Sequence, residues 1–320
     1  MTKNIFLLVV SAGLMNACGG GNAPPVKVSY PQLNAATFAN ATLNEGVTLP
    51  PAAILPTDAM CAARVTAAPK LENRPSNAIY NQAIGKALPN FFTGSDPRAN
   101  SIIAAHISGN FTGSTEDILR WGACKWGLDE NVVKAMAAQE SQWQQARRYN
   151  VSNLVGAQAS AAAYGNTLTY HPSTNCATNS MPGASLTPVA LPVPLPIAQP
   201  QGSGAATANC SRDWGILQVN YEQFPRAWPE AEASTAMNVD IALAIVRACY
   251  EGYETWLASK PLPSGAMPYQ AGNLSYCVGR YNSGLWYDAN AVQYLNRINA
   301  ELTAKTWRQP GFQNKAWVYP

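Results

Sequence analysis

From Cys61 onward, apolar residues recur at intervals of three and four, the spacing that gathers them on one face of an α-helix. Ser114 and Thr115 offer caps for a helix over Glu116 to Trp126, with acids in its first turn and Lys125 in its last, as the helix dipole favours. A second helix starts at Asp129. Ser234 caps a third, whose Ile241, Ala242, Ile245, Val246 and Cys249 form a buried stripe. Val292, Leu295, Ile298 and Leu302 repeat that stripe near the end of the chain. The pattern predicts a mainly α-helical domain.

Two stretches break it. Lys3, the apolar run Ile5 to Met15 and then Cys18 read as a secretion signal over residues 1–17. The small residue Ala17 before Cys18 suits a bacterial lipoprotein, lipidated at Cys18 and exported to the cell envelope on the periplasmic or outer-membrane side. Residues 18–57 are rich in Pro, Gly and Ala and read as a tether or a docked arm. The domain then covers residues 58–320, with a Pro/Ala-rich insertion at about 155–209 that contains the alternating run Leu191 to Pro196. The competing reading of that stretch is a linker between two domains. No internal repeat is visible.

Only 12% of the 320 residues are charged and 47% are hydrophobic, so the chain can fill a sizeable core. After the signal, no apolar run reaches the ~20 residues of a membrane span. The 21 Lys and Arg are scattered without a basic block and the formal charge is +3, which excludes nucleic acid as an expected partner. Setting Cys18 aside leaves Cys61, Cys124, Cys176, Cys210, Cys249 and Cys277, an even set suited to three disulfides in an oxidising compartment. Pairing of nearest neighbours (61 with 124, 176 with 210, 249 with 277) is the expectation. With no CxxC spacing, and with His106 and His171 isolated, neither a metal site nor a cofactor is expected.

The helix opened by Asp129 carries the chemistry. Val133, Met136, Ala137 and Glu140 share one face, so an apolar stripe ends in a carboxylate. Met136, Ala137, Trp143 and Gln144 lie three or four positions away and supply no cation. Desolvation should then raise the pKa of Glu140 and keep it a proton donor near neutrality, as a general acid for glycoside cleavage requires. A boundary glutamate that reaches water or pairs with a distant arginine would produce the same periodicity.

Four motifs narrow the choice. Gln139-Glu140-Ser141, Gly215-Ile216-Leu217-Gln218-Val219, Arg280-Tyr281-Asn282-Ser283-Gly284 and Tyr294-Leu295-Asn296-Arg297 resemble, in order, those of the soluble lytic transglycosylase family. The resemblance covers about residues 113–302 and implies a lysozyme-like fold, α-helical with some β structure. It also implies peptidoglycan glycan strands as substrate, with Glu140 as the single catalytic acid and base and a 1,6-anhydro-N-acetylmuramic acid product. Ser141, Gln218, Tyr281, Asn282, Tyr294 and Trp214 would then support the acid or contact substrate, while Trp143, Trp214 and Trp286 are either plain core or flat faces that pack on a sugar ring. Three features depart from the family's pattern. Ile216-Leu217 replaces Leu-Met, Arg280 stands where a small residue is usual and would line the cleft or pair with an acid, and the interval from Glu140 to Gly215 is unusually long. Asp213 could be the second carboxylate of a lysozyme- or chitinase-like hydrolase, or an exposed loop residue beside Arg212. A wall-binding lipoprotein without turnover is the reading from a different class.

Overall fold

The computed structural model describes Gln32 and residues 46–145, 148–153, 209–220 and 223–312. Cys18 and Cys176, together with the signal, most of the tether and residues 154–208, lie outside them. The described residues are mainly helical, as the periodicity predicts. In chain order the principal elements are α1 (Asp58–Thr66), α2 (Thr115–Lys125), α3 (Glu130–Ser141), β1 (Arg148–Asn153), β2 (Asn209–Trp214), β3 (Val219–Asn220), α4 (Glu230–Ala233), α5 (Thr235–Tyr250), α6 (Leu274–Ser283) and α7 (Ala289–Ala304).

Capping explains most helix starts. The side chains of Thr57, Ser114, Asp129, Ser234, Asn273 and Asp288 each accept a hydrogen bond from a backbone N–H in the first turn of α1, α2, α3, α5, α6 and α7, respectively. Every residue of α5 is buried, and α2, α4 and α6 pack around it. α3 lies between α2 and α7, and α6 packs on α7. Cys61–Cys124 ties α1 to α2 and Cys249–Cys277 ties α5 to α6, as nearest-neighbour pairing predicts. No helix among the described residues is long and apolar enough to cross a membrane.

Charges at the core are paired. Lys125, expected to serve the dipole of α2, is fully buried, and its ammonium meets Asp240 of α5 at 2.7 Å and Asp58 at 2.9 Å. The described end of the arm is docked. Leu49 N–H donates to the Gly127 carbonyl at 2.8 Å, Gly46 N–H to Asp129 at 2.9 Å, and Arg247 holds the carbonyls of Leu49 and Pro50 at 2.9 Å each.

The sheet has no counterpart in the hydrophobic pattern. β1 pairs antiparallel with β2, Asn153 opposite Asn209, and β2 with β3, Trp214 opposite Val219. Asn153 and Asn209, the described residues on either side of residues 154–208, therefore lie opposite each other on neighbouring strands.

Candidate active site

Glu140 is the penultimate residue of α3, on the face whose Val133, Met136 and Ala137 are buried. It is half-buried overall, while its Oε1 is a buried atom. Beyond it the backbone turns through two consecutive left-handed residues that are not glycine, Gln142 at φ 53° and Trp143 at φ 61°. Each such conformation costs about 1–2 kcal/mol and persists only where surrounding contacts enforce it. Those contacts are present. Asn77 Nδ2 donates to the Trp143 carbonyl at 2.6 Å, the Trp143 indole donates to the Lys134 carbonyl at 3.0 Å, and Gln145 N–H donates to Asn77 at 2.8 Å.

Four residues, Gly215-Ile216-Leu217-Gln218, form the tight turn between β2 and β3. Gly215 is at φ 88°, and a Cβ there would lie 2.2 Å from Asn238 Nδ2, so both conformation and space demand glycine. Two buried amides fix the turn. Leu217 N–H donates to Asn238 Oδ1 at 2.9 Å and Ile216 N–H donates to Gln145 Oε1 at 3.0 Å. Ser141, fully buried, donates its hydroxyl to the Ile216 carbonyl at 2.8 Å, and so joins the end of α3 directly to the turn. Gln218 is buried at φ 52°, and its amide donates to the Gly215 carbonyl at 2.6 Å.

Two phenols complete the surroundings of the carboxylate. The Tyr281 hydroxyl on α6 donates to the Leu217 carbonyl at 2.5 Å. Burial first, then the charges of Glu140 and Asp213, hold its pKa well above the ordinary range. Tyr294 of α7 is also raised far above that range, by burial, then by the Glu140 charge and by hydrogen bonding to it. Both hydroxyls therefore stay protonated across ordinary pH: Tyr281 donates its hydrogen bond to the turn, and Tyr294 is the neutral phenol bonded to the carboxylate. Asn282 is exposed beside Tyr281.

Of the other candidates, some match an alternative left open in the sequence and some do not. Asp213 is not an exposed loop residue. It lies on β2 at 8% exposure, accepts a hydrogen bond from Asn220 at 2.7 Å, and bears electrostatically on the same phenol as Glu140. Trp214, expected among the substrate contacts, is 3% exposed and packs edge-on against Trp228, so it offers no open face to a sugar. Trp143 and Trp286 are fully buried as well. Arg280 pairs with an acid, Glu254, at 2.6 Å. Ser141 and Gln218 are directed to the backbone of the turn.

Asn77, Gln145 and Asn238 drew no notice in the sequence, yet they anchor the site. Asn238 alone carried a signal, one of the few polar residues inside a mostly apolar helical stripe. Among the described residues, no group of three or more His, Cys, Asp and Glu could hold a metal ion. No protein-family model, curated protein or solved structure matches this chain. The functional reading therefore rests on the residues themselves.

Proposed function

We propose that this chain is a lytic transglycosylase of lysozyme-like fold that cleaves the β-1,4 bond between N-acetylmuramic acid and N-acetylglucosamine in peptidoglycan. The observation that carries this reading is the convergence of four motifs, far apart in sequence, on Glu140. Ser141 bonds the 215–218 turn, Tyr281 bonds the same turn, and Tyr294 faces the carboxylate.

In this mechanism the Glu140 carboxyl donates its proton to the glycosidic oxygen as the bond from C1 of the muramic acid breaks. The C6 hydroxyl of the same sugar then bonds to C1 and gives its proton to the Glu140 carboxylate. The 1,6-anhydro ring forms, the acid is restored and no water is consumed. The neutral phenol of Tyr294 suits a group that alternates between acid and base, because it can hydrogen-bond the charged form without adding charge. No cofactor enters the reaction.

A second reading has one observation in its favour. The burial of Asp213 and its action on Tyr281 are what the partner carboxylate of a hydrolase would show. Product analysis separates the two readings: anhydro ends for the lyase, with Asp213→Asn largely active, and reducing ends for the hydrolase, with Asp213→Asn inactive. The proposal includes export to the cell envelope and a lipid anchor on Cys18. The two disulfides suit an oxidising compartment.

A further inference from the structure

Arg280 immediately precedes Tyr281 on α6 and stands where the resembling family has a small residue, so its environment bears on this chain in particular. Its guanidinium, in a residue 4% exposed, meets Glu254, 2% exposed, at 2.6 Å and lies over the Trp256 ring at 5.3 Å. Glu254 is fastened in turn. Its N–H donates to the Tyr269 hydroxyl at 3.0 Å, and that hydroxyl donates to the Cys249 carbonyl at 3.1 Å. Cys249 is bonded to Cys277, about one turn before Arg280 on α6. The segment that carries Tyr281 is thus tied to the end of α5 by a disulfide at one turn and by an ion pair at the next.

This pair is a poor device for stability. Glu254 Oε2 and Arg280 Nε are buried without a hydrogen-bond partner. Burial pushes the Glu254 carboxyl up to about 7, the mark of a charge whose desolvation its partner only partly offsets. Apolar replacement of such a pair is commonly neutral or stabilising. A second tether one turn along from the disulfide does, however, restrict the rotation of the helix about its own axis. We propose that the Glu254–Arg280 pair is a positioning pair that sets the rotation of α6, so that Tyr281 meets the Leu217 carbonyl and faces Glu140. The inference rests on the reading of Glu140 as the catalytic acid only for its effect on turnover.

The test uses the full-length chain carrying ¹³Cζ-tyrosine, with the Tyr281 resonance assigned by its absence in Tyr281→Phe. The variant Glu254→Leu/Arg280→Met removes the charges while keeping bulk, and Arg280→Lys keeps the charge and loses the fork. The expected result for the double variant is a Tm equal to or above that of the parent, a displaced Tyr281 resonance and, on purified peptidoglycan, a kcat lower by about ten- to a hundredfold at nearly constant KM. Arg280→Lys should show the same changes in smaller measure, and it decides the question if the double variant does not fold. A parent-like resonance and kcat in a folded variant would overturn the proposal. If the parent itself releases no glycan fragment, the functional reading fails and the resonance alone decides: displaced supports positioning, unchanged overturns it.

Discussion

α5 and the end of α3 solve opposite problems. Along α5 the charged side chains inside the apolar stripe are answered. Asp240 receives Lys125, the Trp126 indole and the N–H groups of Ser108 and Gly109, while Arg247 reaches Glu251 and three backbone carbonyls. At the end of α3 the local rules are broken. Gln142, Trp143 and Gln218 are left-handed, and the pKa values of two phenols are raised by burial and then by the charge of Glu140. Consistency across levels marks the part that makes the fold stable, and the local inconsistencies gather at the part for which we propose chemistry.

Substitutions should therefore sort by region. The largest loss belongs to α5, where Ile241→Ala opens a cavity in a fully buried stripe and should cost about 3–4 kcal/mol in urea denaturation, with the folded fraction as active as the parent. At Gly215, alanine meets both a positive φ and Asn238. About 3 kcal/mol should be lost together with activity, whereas Gly265→Ala, also at positive φ but with open space, should cost about 1 kcal/mol. The next effect depends on pH. Because the Glu254 carboxyl is raised from 4.5 to about 7, the folded chain keeps a proton there that the unfolded chain has released. Stability should therefore fall as pH rises from about 5 to 7, by about 2 kcal/mol, and Glu254→Gln should flatten that slope. The smallest effect is a gain. Gln142→Gly relieves a left-handed conformation and should add about 0.5–1 kcal/mol, with reduced turnover if the strain helps to aim Glu140.

What was legible in the sequence follows the same division. The helices at 115–125, 130–141, 235–250 and 289–304 could be read because caps and stripes are local signals. The two disulfides among the described residues follow nearest-neighbour order. The sheet was not legible, because Arg148–Asn153 and Asn209–Trp214 are short, polar and without strict alternation, and they find each other only across residues 154–208. Without the strand, Asp213 looked like a solvated loop residue. Arg280 left two possibilities open, and its acid lies 26 positions away on another element. Asn77 and Gln145 act through backbone groups distant in sequence, and no local pattern announces such contacts.

The central claim is that Glu140 alone alternates as acid and base. Mass spectrometry of the products released from purified peptidoglycan by the parent protein and by Glu140→Gln tests it most directly. The account predicts 1,6-anhydro-muramyl ends from the parent and a loss of about 10² to 10⁴-fold in the variant, with the fold unchanged. Reducing ends from the parent, or undiminished anhydro products from Glu140→Gln, would contradict it.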